Sequence, residues 1–195
     1  MCSSDLFHTP NVDLAALQCR AARLPLITQL TSGEKEKELE DLENVLQKAK
    51  ELHSVQGVVG GALHSSYQRD RIKRVCDKLG LKLFAPLWHM DQEQELRGLL
   101  KEGFEIILSS VAAEGLDHRW IGRVITEKDV DKLVQLHEQL GLNVAGEGGE
   151  FESLVLYCPL FSKKLHIVKQ RVAKEGDHRA QLLVEDAVLT DCTKR

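Results

Sequence analysis

The sequence lacks the features that mark several large classes of protein. Its 195 residues contain no apolar run near the ~20 residues that a membrane-spanning helix needs, and no basic segment precedes an apolar one as in a signal peptide. The five cysteines are scattered and form no CxxC pair, which favours reduced cytosolic thiols over a disulfide framework or a zinc site. A net charge of -4 argues against general binding to a nucleic-acid backbone. We therefore expect a cytoplasmic protein with no membrane partner, no direct nucleic-acid partner and no structural metal.

The composition instead fits a globular chain in which helices and strands alternate. Apolar residues make up 43% of the sequence and charged residues 29%, and the length allows one domain with a sizeable core. Alternation of this kind predicts an α/β fold with a doubly wound, mostly parallel sheet. The strands are predicted at residues 24–28, 55–59, 81–85, 104–109 and 143–145, and the helices at 66–79, 92–101 and 127–140, with two more starting near residues 12 and 31.

The end of the chain has a different pattern. Residues 164–172 and 180–189 alternate between apolar and polar side chains, and a Lys-Glu-Gly-Asp turn separates them. This pattern predicts a C-terminal β-hairpin. We expect a single domain over residues 1–195, with a ligand-binding core at 11–158 and the C-terminal strands at 159–195.

The most distinctive local feature is the segment GEGGEFES at residues 146–153. Glycines suit a backbone that turns sharply or approaches a ligand closely, and a loop that follows an apolar strand is a common place for function. The alternative is a glycine-rich turn with solvated acids, and composition alone does not separate the two. The candidate residues are Gly146, Gly148 and Gly149 for binding substrate and Glu147, Glu150 and Glu152 for catalysis.

A second candidate is the segment GALHSSYQRDR at residues 61–71, which runs from a predicted strand into a helix. A helix N-terminus attracts anions, and arginine grips phosphate or carboxylate in a bidentate manner. The alternative is that a serine caps the helix while the arginines are solvated. Trp88, after the next strand, forms either a pocket wall or part of the core. The candidates for binding a cofactor are Gly61, Ser65, Tyr67, Gln68, Arg69 and Arg71, and Trp88 is a candidate for binding substrate.

These residues together resemble a known family. GEGGEFES with the following PLF, the segment GALHSSYQRDRI and the stretch GLKLFAPLW are similar to diphthine–ammonia ligase, the ATP-binding-domain-4 group of PP-loop ATP pyrophosphatases. The resemblance extends over about residues 14–168 and implies an adenine nucleotide alpha hydrolase-like sheet. It also implies an ATP-dependent carboxylate–amine ligase, in which ATP, with Mg²⁺, converts the carboxylate of diphthine on translation elongation factor 2 to an acyl-adenylate. Ammonium then gives the amide diphthamide.

The resemblance also suggests roles for the candidate residues. Arg69 and Arg71 are reasonable partners for phosphate or adenylate. Glu147, Glu150 and Glu152 suit the trimethylammonium and imidazole groups of diphthine, or a magnesium ion. We expect the two segments that carry these residues to face each other across one cleft.

The chain departs from the family pattern in two ways. It contains no SGGKDS-type loop, the element that wraps the ATP phosphates, and Tyr157 stands where the family tends to have an aspartate. We therefore expect the first strand of the sheet to be missing, leaving an exposed strand edge that a homo-oligomer would cover. The alternatives are a non-catalytic binding module for a nucleotide or a protein, and an enzyme of the same superfamily that acts on another small carboxylate.

Overall fold

The computed structural model describes residues 11–31, 37–61 and 66–192. The chain forms two compact units, one from the described residues of 26–90 and the other from 11–25 with 91–192. A boundary between these units falls between Met90 and Asp91, and the single domain expected from the sequence stays a prediction. In chain order the helices are α1 (Ala15–Ala22), α2 (Lys37–His53), α3 (Ser66–Leu79), α4 (Gln92–Lys101) and α5 (Glu127–Leu140). The strands are β1 (Gly57–Val59), β2 (Lys82–Phe84), β3 (Glu105–Ala112), β4 (Phe151–Tyr157), β5 (Lys163–Gly176) and β6 (Arg179–Asp191).

The first unit is built around a βαβ connection. Strands β1 and β2 run parallel, with Val58 opposite Leu83, and α3 connects them along the chain. The amide of Gly60 continues the pairing by donating to the carbonyl of Phe84 at 2.9 Å. Helix α2 packs on α3, where Val75 and Cys76 are buried. Burial raises the pKa of the Cys76 thiol, as does the nearby charge of Asp77, so this cysteine is held in its neutral form.

The second unit is built around an antiparallel sheet. Its strand order is β4-β3-β6-β5, and all three neighbouring pairs are antiparallel. The central strand β3 carries Ile107 and Leu108, which are fully buried, and α5 contributes Val130 and Leu133 to the same core. The fold is therefore α/β, as predicted, with one parallel sheet and one antiparallel sheet.

Helix α4 is tied firmly to its surroundings. Asp91 caps its start by accepting from the amide of Gln94 at 2.9 Å. On α4, Arg97 donates to Glu93, and it also donates to Glu127 and Asp131 of α5, at 2.7–2.8 Å. These bonds raise the pKa of Arg97 above its ordinary value. The start of α4 is therefore capped, and the helix is joined to α5.

Three strand predictions differ from the structure. Residues 24–28 form no strand, because Arg23 ends α1 in a left-handed conformation (φ 56°) and Pro25 has no amide for a ladder. Residues 143–145 form no strand, because the amides of Asn143 and Ala145 donate to side chains instead of a neighbouring strand. Residues 104–109 do form a strand, but it belongs to the antiparallel sheet.

Other elements agree with the sequence. Helices α3, α4 and α5 have the predicted bounds, and the C-terminal hairpin is present as β5 and β6, although β6 also pairs with β3. The predicted cap of α2 at residues 31–34 lies largely outside the described residues. Among the helices described, none has the length and apolar composition that crossing a membrane requires.

Candidate functional site

The glycine-rich loop lies beside the C-terminal end of β3. It leads into β4, which runs antiparallel to β3, so Phe151 stands opposite Val111 and the amide of Ala112 donates to the carbonyl of Glu150 at 2.7 Å. The sequence placed this loop after a strand at residues 143–145, and that placement is wrong because residues 143–145 form no strand. The loop does not follow a strand of its own; it precedes an antiparallel partner of β3.

Each glycine of the loop has a separate structural reason. Gly146 has φ 77°, and a Cβ there would lie 2.8 Å from the ring of Phe151. A Cβ on Gly148 would lie 2.5 Å from both the side-chain nitrogen of Asn143 and a carboxylate oxygen of Glu150. Gly149 has φ 83° with open space around it. Two of the glycines therefore allow close approach, and the third allows a left-handed turn.

The three acids of the loop are not equivalent. Glu150 points back into the loop, where its Oε1 accepts from the backbone and side-chain nitrogens of Asn143 at 3.0 and 2.6 Å, and its Oε2 accepts from the amide of Gly148 at 2.8 Å. Glu147 is exposed, and Glu152 is half-buried on β4. The contacts of Glu150 favour a structural role for this carboxylate over the predicted direct contact with a ligand.

Two residues of this site were missed by sequence reasoning. Gln92, at the start of α4, accepts from the amide of Ala145 at 3.0 Å and donates to the Asn143 side-chain oxygen at 3.3 Å. Asn143 in turn donates to Glu150. No motif marks either residue, because Gln92 is separated from Asn143 by 51 positions.

The loop after β3, in the same unit, carries a pair of charged side chains, Asp117 and Arg119. Asp117 caps a short 3-10 helix (His118–Trp120) and accepts from the Arg119 guanidinium at 2.6 Å. The bonds from Arg119 lower the pKa of Asp117 to about 2, so this carboxylate is ionised at neutral pH. Trp120 is buried, with the Arg123 guanidinium 4.9 Å from its ring centre, and therefore belongs to the core.

In the first unit, two residues of the second candidate segment lie with Trp88 at one edge of the parallel strand pair. Gly61 follows β1, and Trp88 lies in the turn after β2. The Arg69 guanidinium, in the first turn of α3, lies 4.5 Å from the centre of the Trp88 ring, and the His89 ring meets the indole edge-on at 4.7 Å. A guanidinium stacked on an aromatic face keeps its edge available for an anion. The structure thus brings together two residues that the sequence had assigned to different ligands.

Arg71 has a different environment. It is 7% exposed, its Nη2 lies 3.8 Å from Glu38 of α2, which is 1% exposed, and its guanidinium lies 4.8 Å from the ring centre of Tyr67. A buried ion pair of this kind favours a role in packing α2 on α3 over the predicted phosphate contact. Gln68 is half-buried in the same helix. The predicted residue Ser65 lies outside the described residues.

Comparison with known proteins connects both units to one family. The model of the diphthamide synthase C-terminal domain matches residues 91–189, and that of the diphthamide synthase N-terminal domain matches residues 2–83. The chain belongs to the diphthamide synthase family. The resemblance inferred from the motifs is confirmed, and the gap between the two diphthamide synthase matches falls where the two compact units meet along the chain.

The individual relatives described next carry one name. The chain is 32% identical over 200 residues to the diphthine–ammonia ligase of Schizosaccharomyces pombe, a match that covers 96% of this chain and 33% of the relative. It is 42% identical over 129 residues to that of Rattus norvegicus and 38% identical over 136 residues to that of Homo sapiens. These matches cover 66% and 69% of this chain and 48% and 51% of the relatives. The chain thus spans between a third and a half of the length of these relatives.

Proposed function

We propose that this chain acts in the ATP-dependent amidation of diphthine on translation elongation factor 2, which gives diphthamide. The observation that carries the proposal is the match of both diphthamide synthase domains, one to each part of the chain. Relatives named diphthine–ammonia ligase support it. In this reaction the carboxylate displaces pyrophosphate from ATP to form an acyl-adenylate. Ammonia, formed when ammonium loses a proton, then attacks the acyl carbon and displaces AMP to give the amide.

The nucleotide is proposed to bind the first unit, through Arg69 and the neighbouring Gly61, Ser65, Tyr67 and Gln68. The support is the position of the Arg69 guanidinium, which the Trp88 ring holds where β1 and β2 end and α3 begins. In the described residues, no group of three His, Cys, Asp or Glu side chains is arranged to hold a metal ion. A magnesium ion carried by ATP phosphates needs no such cluster, because it keeps several waters and takes few protein ligands.

Diphthine is proposed to bind the glycine-rich loop of the second unit, and contact between Trp88 and the substrate stays a prediction. Exposed Glu147 and half-buried Glu152 offer negative charge for its trimethylammonium and imidazole groups. Gly146, Gly148 and Gly149 are proposed as backbone contacts of the substrate, and of the three Gly149 has open space beside it. The idea that the loop and the Arg69 segment share one cleft stays a prediction.

The finer fold is also a proposal. The parallel pair β1 and β2, connected through α3, is the repeating unit of a doubly wound, adenine nucleotide alpha hydrolase-like sheet. We propose that the first unit belongs to such a sheet.

The proposal is tested by incubating the chain with ATP, ammonium and elongation factor 2 that bears diphthine. Mass spectrometry of the modified histidine peptide is expected to show diphthamide only when ATP and ammonium are both present. Binding of the factor and of ATP without conversion would instead support the non-catalytic binding module.

Calorimetry on matched variants tests the two proposed contacts. Arg69→Met is expected to weaken ATP binding about tenfold or more, since a charge-assisted hydrogen bond is lost, whereas Arg74→Met, at an exposed position of α3, leaves it unchanged. Glu147→Gln is expected to weaken binding of the diphthine-bearing factor, whereas Glu138→Gln, an exposed position of α5, does not. Equal effects within either pair would remove that contact from the proposal.

A further inference from the structure

A continuous hydrogen-bonded chain connects the start of α4 to the middle of the glycine-rich loop. It runs from the amide of Ala145 to Gln92, from Gln92 to Asn143, from Asn143 to Glu150, and it is closed by the amide of Gly148, which donates to Glu150. All four links lie within the second unit and measure 2.6–3.3 Å. The loop is thereby joined to a helix that lies about 50 residues earlier along the chain.

The groups at the two ends of this hydrogen-bonded series decide which atoms of Gln92 and Asn143 donate and which accept. The amide of Ala145 can only donate, so the Gln92 atom that faces it is the oxygen, and its nitrogen then faces Asn143. Both oxygens of Glu150 accept from backbone amides, so the Asn143 side-chain atom that faces Glu150 is the nitrogen, and its oxygen faces Gln92. Only an amide at both middle positions satisfies every donor and acceptor at once.

Gln92 belongs to a helix with several connections to its own unit. Its helix begins there with the Asp91 cap and is bound to α5 through Arg97. The loop held by Gln92 also includes Glu147, an exposed acid that takes no part in this series of hydrogen bonds. A loop held in one conformation loses less freedom when a ligand binds, and its affinity rises accordingly.

We propose that Gln92 is a positioning residue that holds the glycine-rich loop, through Asn143 and Glu150, in the conformation that binds the diphthine-bearing substrate. This proposal rests on the proposed function for the identity of the ligand. Gln92 itself makes no contact with substrate. Its effect reaches the ligand through Asn143, Glu150 and the backbone around Gly148.

Gln92→Glu tests the proposal with almost no change of shape. The new oxygen faces the Asn143 side-chain oxygen, and a flip of Asn143 would only move the repulsion to Glu150. The matched control is Gln94→Glu, which makes the same chemical change at an exposed position of the same helix. Gln92→Ala, which removes both hydrogen bonds without adding charge, is the second variant should Gln92→Glu fold poorly.

Calorimetry and hydrogen exchange give the decisive readouts. We expect Gln92→Glu to raise the dissociation constant for the diphthine-bearing factor about tenfold, the effect of losing one or two hydrogen bonds, while the dissociation constant for ATP stays the same. The amides of Ala145 and Gly148 are expected to exchange faster, and Gln94→Glu is expected to match the wild type in all three measurements. A merely structural role would lower the melting temperature without this selectivity between ligands.

The outcomes separate this proposal from the proposed function. If wild-type protein binds the factor and Gln92→Glu binds it as tightly as Gln94→Glu does, the positioning role is refuted. If wild-type protein does not bind the factor at all, the proposed function fails. In that case unchanged exchange at Ala145 and Gly148 in Gln92→Glu refutes the holding of the loop, and faster exchange supports it.

Discussion

Replacing Gly146 by alanine tests whether the loop is shaped by close contact or only by backbone conformation. The matched variant is Gly149→Ala, because both glycines have a positive φ, 77° and 83°, but only Gly146 has a neighbour in the way. At either position alanine costs about 1 kcal/mol for the left-handed conformation. At Gly146 the new methyl group would also lie 2.8 Å from the Phe151 ring, and overpacking of this kind costs about 1–3 kcal/mol more.

We therefore expect Gly146→Ala to lower the free energy of unfolding by about 2–4 kcal/mol and Gly149→Ala to lower it by about 1 kcal/mol. Urea unfolding followed by tryptophan fluorescence measures both values. The chain has two tryptophans, so a Trp88→Phe background leaves buried Trp120 as the reporter of the second unit. Equal losses in the two variants would refute the argument, because the contact with Phe151 would then contribute nothing.

Two further predictions concern buried charges. Hydrogen bonds from Arg123 and Thr126 outweigh the effect of burial and lower the pKa of Asp129 to about 2, below its value in the unfolded chain. Ionised Asp129 therefore stabilises the fold above about pH 4, and this stabilisation is lost as the pH falls toward 2. Asp129→Asn should therefore lower the free energy of unfolding by about 2 kcal/mol at pH 7 and by little at pH 2, in a series of urea titrations; a loss independent of pH would contradict this. Glu38→Leu should cost about 3–5 kcal/mol, because it leaves Arg71 buried without this carboxylate, and the double variant with Arg71→Met should regain most of the loss. Urea unfolding measures both losses, and a double variant that loses as much as Glu38→Leu alone would contradict the expected recovery.

The helices of this chain were predictable because their signals are local. In α5 the apolar stripe ends at Gly141, which adopts the left-handed conformation (φ 74°) of a helix C-cap, and the predicted bounds agree with the structure. The hairpin of β5 and β6 was predictable for the same reason, since alternation and a polar turn are read within a few residues. Only short-range information is needed in these cases.

The antiparallel sheet was not predictable, because short apolar runs do not identify their neighbours. Residues 104–109 fit a parallel and an antiparallel strand equally well, and the polar pair Glu152-Ser153 makes the start of β4 resemble a continuation of the loop. The predicted strand at 143–145 failed because Gln92 and Glu150 bind its amides, and nothing in the spacing of these residues indicates that contact. The contact between Arg69 and Trp88 was likewise not predictable, because 19 positions separate the two residues and only folding brings them together.

The residues of the GEGGE segment have two different roles, shaping the loop and contacting a ligand, and composition alone does not distinguish them. Gly146 and Gly148 are required by lack of space and Gly149 by its φ, while Glu150 is needed because three nitrogen donors converge on its carboxylate. Glu147 is different: it is exposed, and none of these contacts depends on it. Because the loop conformation does not depend on Glu147, this side chain can contact a ligand without loss of the loop's own hydrogen bonds. Substitution at Glu147 should therefore change binding and leave stability intact, whereas substitution at Glu150 should change both, because any effect on the ligand there begins with the loss of the loop's own hydrogen bonds.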